Sequence, residues 1–210
     1  MKTAAAASRR KKGYHHNDLR NALLMVALDV IVSRGGPSFT MRELASALGV
    51  THTSVYRHFA DKAALLDALT AEGFRRLAAC QEEELNKASD DPLERVNALG
   101  FAYLRFAREN RGFFSLMFTA REDENPEKSS RTKHNEKALS TLVTTIVECQ
   151  RAGLVVDCDP VRIAGYLVLA PHGLAAYETQ GHEPLGDGDK GPFFPSVEAI
   201  NELTIMPFLV

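Results

Sequence analysis

Hydrophobic residues recur every three or four positions along most of the chain, which is the period of an amphipathic helix. A first helix is predicted to begin at Asn17 or Asp18, either of which can cap it, and to end near residues 35–37. Asp61 is predicted to cap a long fourth helix that reaches about Ala88. Because no segment shows the alternation of a strand, the pattern predicts an all-α protein.

Two short helices are predicted between these two, over about 40–48 and 51–58, in the stretch TMRELASALGVTHTSVYRHFADK. Gly49 stands between them, where a tight turn can require positive φ. A helix, a turn and a second short helix form the arrangement that places a recognition helix in the major groove of DNA. The alternative is a pair of packed helices with no role in DNA binding.

The residue types inside this stretch favour the helix-turn-helix. Thr40 and Glu43 stand in capping-box register, and Thr51 can cap the second helix. Ala45 is small where two helices must approach closely, and Val55 closes the small core from the other side. An ordinary amphipathic helix pair seldom combines all of these features.

The second half of the chain is also predicted to be helical. Helical starts or stretches are predicted at Asp91-Pro92, at the aromatic segment 112–118, over about 132–152, at Asp159-Pro160 and within the last fifteen residues. Pro171 lacks a backbone donor, so it is expected to interrupt and kink the helix that contains it. Residues 120–130 are predicted to be a charged surface loop, and residues 181–195 a loop rich in Gly and Pro.

Composition is typical of a soluble globular protein, with 45% hydrophobic and 25% charged residues. No apolar run approaches the roughly 20 residues that span a bilayer, and the basic N-terminus does not resemble a secretory signal. Cys80, Cys149 and Cys158 are odd in number and widely spaced, which favours a reducing compartment over a disulfide framework. The expected location is therefore cytoplasmic, with no membrane partner.

Charge is distributed unevenly along the chain although the formal net charge is only −2. Residues 1–63 hold ten Lys or Arg and four Asp or Glu, whereas the remaining residues hold fifteen and twenty-three. This split indicates that only the N-terminal part meets a polyanion. Four of the N-terminal cations precede the first helix: Arg9, Arg10, Lys11 and Lys12. They are predicted to form either an arm that contacts DNA or a tail that is only solvated.

The sequence contains partial matches to enzymatic and metal-binding motifs, but the neighbouring residues do not fit those motifs. Residues 186–191 match GxGxxG, but no strand precedes them and Pro192 follows. Asp187 and Asp189 resemble part of a calcium loop that lacks its remaining ligands and its terminal Glu. His52 and His58 are six residues apart, which is the wrong spacing for one metal-binding face of a helix. The sequence therefore predicts no catalytic residue, no metal site and no cofactor.

Residues 14 to 77 resemble the TetR family of bacterial transcriptional regulators. The resemblance rests on YHHNDLRNALLMVALDVIVSRGG, on the helix-turn-helix and on VYRHFADKAALLDALTAEGFRRL, with its Tyr-x-His-Phe and Asp-Lys-x-x-Leu-Leu elements. The segment FAYLRFARENRGFFSLMF and the pair His172-Gly173 resemble one branch of the family's ligand-binding domains. In that branch a Trp commonly precedes the pair, and here Pro171 stands instead.

The resemblance implies a regulator with two functional parts. It implies a homodimer, packed through the last two long helices, that represses a promoter and releases it when a small molecule binds. The expected divisions are a disordered basic arm over 1–13, a helix-turn-helix domain over 14–62 and a helical effector-binding and dimerisation domain over 63–210. The implied partners are a double-stranded DNA operator, a small-molecule effector and a second copy of the chain.

The expected DNA contacts fall into two groups. Base contacts are expected at the start of the recognition helix and from the helix before it, at Thr51, His52, Thr53 and Arg42. The family positions that touch phosphates correspond to Thr40, Tyr56, His58 and Lys62. Three of these residues have ordinary alternatives: Arg42 as an exposed helix arginine, Tyr56 as a ring packed on the first helix, and His58 as a packed surface histidine.

Aromatic and apolar bulk is concentrated after the long fourth helix. A largely apolar effector cavity with a few polar anchors is expected to involve Phe101, Tyr103, Phe106, Phe113, Met117 and His172. The alternative is that helix packing alone explains most of these residues. The remaining functional alternative is a helical small-molecule-binding or enzymatic protein whose N-terminal helix pair is only structural.

Overall fold

The computed structural model describes residues 16–118, 130–179 and 197–210. These residues form an all-α protein, as predicted, with one isolated antiparallel bridge between Val155 and Leu209. The helices are α1 His16–Arg34, α2 Met41–Ala47, α3 His52–Tyr56, α4 Lys62–Lys87, α5 Pro92–Glu109, α6 Arg111–Phe118, α7 Ser130–Arg151, α8 Pro160–Thr179 and α9 Val197–Ile205, followed by a 3-10 turn at Met206–Phe208. The predicted arm at 1–13 and the loop at 181–195 lie outside the described residues, as does nearly all of the loop at 120–130.

Side-chain caps fix most of the predicted helix starts. Thr40, Thr51, Asp61 and Asp91 each accept a hydrogen bond from a backbone N–H in the first turn of the following helix. Such bonds satisfy donors that have no partner inside the helix. The prediction for α1 was wrong by one or two residues, because the helix already includes His16.

Two further sequence expectations need correction. The second short helix ends at Tyr56 rather than near His58, because the chain turns there and the His58 N–H donates to the carbonyl of Val55. The helix containing Pro171 is not interrupted, since α8 runs from Pro160 to Thr179. Pro171 itself is buried within the packed face of α8, so tertiary contacts outweigh the missing backbone donor.

Two hydrophobic clusters organise the described residues. The larger cluster joins α1–α6 with the end of α8, and the smaller one joins α5, α7, α8 and the C-terminal helix. The helix α4 runs the length of the larger cluster, burying residues from Leu65 to Gln81. One rigid element of 26 residues therefore connects the helix-turn-helix to the second half of the molecule.

Two glycines let α6 pack closely between α1 and α4. A Cβ atom at Gly73 of α4 would lie 2.5 Å from the Sδ of Met117, and one at Gly112 of α6 would lie 2.8 Å from the Cδ1 of Leu28. These distances are too short for a methyl group, so glycine is required for the observed packing. As a result, α6 touches both the first helix α1 and the connecting helix α4.

Candidate nucleic-acid interface

The first helix of the helix-turn-helix is fixed by a capping box. The Glu43 N–H donates to Thr40 Oγ1 at 3.2 Å, and the Thr40 N–H donates to Glu43 Oε2 at 2.6 Å. The hydrogen bond from the Thr40 backbone is the main reason why the pKa of Glu43 lies below its usual range. Gly49 then turns the chain with a φ of 63°. The turn between α2 and α3 thus needs glycine, as the sequence predicts.

Removing the cap should destabilise the domain. Replacing Thr40 with alanine eliminates the bond to the Glu43 N–H, so we expect the free energy of unfolding to fall by about 1 kcal/mol. Urea unfolding followed by circular dichroism measures this change. Thr53→Ala is the matched control, because Thr53 is exposed inside α3 and caps nothing; it should change stability by less than about 0.5 kcal/mol. Equal losses in the two variants would contradict the capping role.

The recognition helix α3 is held from one side only. Thr51 caps it by accepting from the Ser54 N–H at 3.2 Å, and Val55 is 0% exposed in the core that includes Leu44 and Ala45 of α2. Because a single buried side chain anchors this five-residue helix, its other faces remain available. Val55 therefore fixes the rear of α3, whereas Thr51, His52 and Thr53 face solvent and form the exposed leading edge of the helix.

All four residues predicted to contact bases are exposed. They are Arg42, Thr51, His52 and Thr53. The ring of Tyr56 stands edge-on to His52 with centroids 4.6 Å apart, and 43% of its surface is exposed. Tyr56 therefore extends the exposed edge beside His52.

The residues predicted to contact phosphates lie at the start of α2, at the end of α3 and between α3 and the first turn of α4. Thr40 is exposed at the start of α2, and His58 is half-buried after α3. Lys62, in the first turn of α4, holds its Nζ 4.8 Å from the centre of the Phe39 ring. A cation placed over an aromatic face is oriented by the ring while its N–H groups can still bind an anion.

Two cations that motif matching did not identify lie on the same domain. Arg57 is exposed directly after α3, and the guanidinium of Arg20 lies 5.1 Å from the centre of the Phe59 ring. The basic charge of residues 1–63 was the available signal, because both residues belong to that excess. Their separation in sequence concealed that α1 and the end of the helix-turn-helix meet.

The second half of the molecule contains a small cavity of about 70 Å³ among α4–α9. Of the residues predicted for an effector site, Tyr103 lines this cavity. The structure places Phe106, Phe113 and Met117 in the larger hydrophobic cluster, with Phe101 packed against that cluster. These four side chains are not part of the cavity wall in the described residues.

His172 contacts the cavity residue Tyr103 through a hydrogen bond. The Tyr103 hydroxyl and His172 Nδ1 lie 2.7 Å apart. Burial raises the pKa of Tyr103 and lowers that of His172, because both charged forms are disfavoured away from water. The pair therefore links α5 and α8 as two neutral groups near neutral pH.

Other chemistries find no support in the described part of the chain. Its His, Cys, Asp and Glu side chains form no group of three or more with metal-binding geometry. None of its helices combines the length and apolar character needed to cross a membrane.

Family models match both halves of the chain. The model described as bacterial regulatory proteins, tetR family, matches residues 23–69, and the model described as tetracyclin repressor-like, C-terminal domain, matches residues 96–197. The chain belongs to the TetR family. That family is one of bacterial regulatory proteins, and the alternative of an enzyme with a structural helix pair does not fit it. The resemblance to the Trp-His-Gly branch stays a prediction.

Curated relatives of this TetR-family protein include repressors and an activator. The HTH-type transcriptional repressor KstR2 of Mycobacterium tuberculosis is 31% identical over 86 residues, which are 41% of this chain and 42% of that protein. Tetracycline repressor protein class A from transposon 1721 of Escherichia coli is 41% identical over 71 residues, or 34% and 32%. The HTH-type transcriptional activator FasR of Mycolicibacterium smegmatis is 25% identical over 146 residues, or 70% and 66%. The chain spans less than half the length of the first two relatives.

Solved structures match nearly the whole chain. A protein of unknown function from Rhodococcus sp. RHA1 has a TM-score of 0.77 at 28% identity, covering 95% of this chain and 100% of that one. AibR, solved with isovaleryl coenzyme A and operator DNA, has a TM-score of 0.65 at 18% identity, covering 90% and 97%. The likeness to AibR is one of fold.

Proposed function

We propose that this TetR-family regulator is a repressor that binds a palindromic operator as a homodimer and is released by a small molecule. The observation that carries the proposal is the exposed edge of α3. Thr51, His52 and Thr53 are exposed at its start, whereas Val55 behind them is fully buried. A helix anchored from behind presents side chains to the major groove without losing its own packing.

Base and phosphate contacts divide along the same edge. Arg42 can bind guanine through two hydrogen bonds, and the polar groups of Thr51, His52 and Thr53 can reach neighbouring base edges. The four phosphate-contacting residues, which orient the domain without reading sequence, are Thr40, Tyr56, His58 and Lys62. Arg20 and Arg57 add positive charge beside them.

An exposed apolar stripe on α8 supports the homodimer. Val161, Leu169 and Tyr177 are 61%, 66% and 40% exposed. They stand eight residues apart, so they follow one i, i+4 ridge that winds around the exposed side of the helix. Gly165 and Gly173 lie between them on the same ridge, where an added methyl group would meet no atom within 4 Å. We assign this stripe to a second copy of the chain, whose large side chains fit over the glycine gaps of the first.

Self-complementarity argues for a twofold partner. In an isologous dimer each protomer offers the same surface, so a stripe that alternates large residues and glycine can interlock with itself. Leu203 and Met206, at and just after the end of α9, are 58% and 59% exposed and extend the apolar surface. A dimer of this kind presents two recognition helices to two half-sites about one helical turn apart, or somewhat more.

Release requires that the cavity and the DNA edge be mechanically connected. The helix α4 begins at Lys62, which is one of the proposed phosphate contacts, and contributes Leu77 and Gln81 to the cavity wall. The contacts of α6 at Gly73 and Gly112 couple the same region to α1. An effector that binds more tightly when α4 is shifted would lower operator affinity. The factor is the same as the one by which operator binding lowers the affinity for the effector.

Named relatives are consistent with this scheme. KstR2 and the tetracycline repressor are named as repressors, and AibR was solved with both a coenzyme A thioester and operator DNA. FasR is named as an activator, so the direction of regulation has to be measured.

A gel-shift assay with the DNA that flanks the protein's own gene, combined with transcription from that promoter, tests the proposal. Binding with reduced transcription supports repression, and absence of binding to any flanking segment counts against it.

The N-terminal arm provides a separate test of the phosphate contacts. Deleting residues 1–12 removes Arg9, Arg10, Lys11 and Lys12, and we expect the slope of log affinity against log salt to decrease by several units. The measurement is operator binding by fluorescence anisotropy over a series of salt concentrations. An unchanged slope would mean that the arm stays in solvent. Replacing the four residues with glutamine is the matched control for chain length.

A further inference from the structure

The cavity among α4–α9 contains a hydrogen-bond donor without a partner. Asn201, on α9, lines the cavity and is 7% exposed. Its amide nitrogen Nδ2 is buried and has no acceptor within hydrogen-bond distance among the described residues. Buried polar atoms are nearly always paired, so an exception calls for a specific explanation.

The opposite wall is shaped to accommodate this amide. Gly100 lies in the middle of α5, where alanine would favour the helix more. A Cβ atom at Gly100 would stand 2.5 Å from Asn201 Oδ1 and 2.8 Å from Asn201 Nδ2. Glycine at this position therefore makes room for a side chain whose amide gains no protein partner. Two unfavourable features of the fold meet at one point of the cavity.

The remaining wall limits what can bind there. Most of the lining is aliphatic, from α5, α7 and α8, and the other neutral polar side chains are Gln81, Asn97, Tyr103 and Thr204. None of the described residues that line the cavity carries a charge. An anionic group would have to leave water without a cation to compensate it, which is strongly unfavourable. An uncharged acceptor needs only the amide donor.

We propose that the effector places a neutral carbonyl oxygen, as in a ketone, ester, thioester or amide, against Asn201 Nδ2. This inference rests on the proposed function, because it takes the cavity as the effector site. Asn201 recognises the acceptor, Gly100 provides the space for its amide, and the aliphatic wall holds the apolar part of the ligand. Carboxylates of the same size are rejected because no positive charge meets them.

Small probes of matched shape can test this recognition directly. The probes are 2-butanone, propanoate and 2-methyl-1-butene, each with five heavy atoms, titrated into the full-length protein at pH 7.5 and followed by NMR. In 2-methyl-1-butene a methylene group replaces the carbonyl oxygen. We expect 2-butanone to bind about tenfold more tightly than 2-methyl-1-butene, as one additional hydrogen bond predicts. It should also bind more tightly than propanoate, whose charge would have to leave water without a cation to compensate it. Its binding should shift the side-chain amide signal of Asn201.

Two variants separate recognition from a structural role. Asn201→Leu keeps the approximate shape but removes the donor, so the preference for 2-butanone over 2-methyl-1-butene should disappear while the melting temperature stays the same or rises. Gly100→Ala should displace the amide and weaken 2-butanone binding. If Asn201 were only structural, Asn201→Leu would lower the melting temperature and leave the preference unchanged.

Failure of the carbonyl assignment can be distinguished from failure of the proposed regulatory function. Propanoate binding as tightly as 2-butanone, a preference retained in Asn201→Leu, or no binding of 2-butanone to the cavity would each overturn the carbonyl assignment. Operator affinity of the unchanged protein, measured without probe, tests the regulatory proposal separately. If the unchanged protein binds no operator, the regulatory proposal fails on its own, whatever the probes do in the cavity.

Discussion

Replacing Leu169 with arginine is expected to convert the dimer to a monomer and to lower operator affinity at least about a hundredfold. Leu169 is 66% exposed at the centre of the α8 stripe, between the two glycine gaps. Because a twofold interface repeats each residue, the substitution introduces two charges into one apolar contact. A monomer reads one half-site, so it loses most of the difference between specific and non-specific binding.

Sedimentation velocity gives the oligomeric state, and fluorescence anisotropy gives the operator affinity. Asn86→Arg is the matched control, because it adds the same charge at an exposed position near the end of α4. The control should remain dimeric with unchanged affinity. A dimeric Leu169→Arg protein that binds the operator normally would show that another surface forms the dimer.

Arg42→Ala is expected to weaken operator binding by roughly 5- to 150-fold at each half-site, which corresponds to the loss of one bidentate guanine contact. Arg42 is exposed on α2 beside the start of α3, and Thr40 caps the same helix. The loss should be selective: the variant should no longer distinguish one base pair in each half-site. Lys62→Ala should instead weaken binding to all sequences alike and reduce the salt slope by about one per phosphate contact.

Competition with operators mutated at single base pairs separates these two effects. Arg151→Ala removes the same charge from the exposed end of α7 and serves as the control. If Arg42→Ala keeps full base discrimination, Arg42 is only a surface arginine, and base readout rests on α3 alone.

The helix-turn-helix was predictable because its determinants are local. The cap residues stand within three positions of the N–H groups they satisfy. Gly49 identifies the turn because glycine readily adopts the positive φ that the turn requires. The exposed or buried state of α3 follows from helical period once Val55 is placed in the core. These features depend on neighbours in sequence, so the chain alone specifies them.

The effector region was less predictable because its contacts join distant residues. Phe106, Phe113 and Met117 have the composition of a pocket, but they fill the core between α4 and α6. The cavity depends on Gly100 facing Asn201 across about one hundred residues of chain. The extent of α1 was also misjudged, since helical residues precede the expected cap at Asn17 or Asp18. Tyr103 and His172 were predicted because of their residue types, and the α8 stripe also left a signal in sequence, as large residues and glycines four positions apart.

Site-directed DNA cleavage tests most directly whether the leading edge of α3 enters the major groove at two half-sites. An iron chelate is attached at Thr53→Cys in a protein that also carries Cys80→Ser and Cys158→Ser. Burial raises the pKa of the Cys149 thiol to about 11, so this remaining cysteine is unreactive. Attachment at the native, exposed Cys158 with Cys80→Ser provides the matched control.

The chelate at position 53 is expected to cut the operator in two clusters, symmetric about its centre and roughly 34–36 Å or somewhat more apart. The chelate at Cys158 should give no localised cutting. Cleavage that is dispersed along the DNA, or identical for the two attachment sites, would contradict the placement of α3 on DNA.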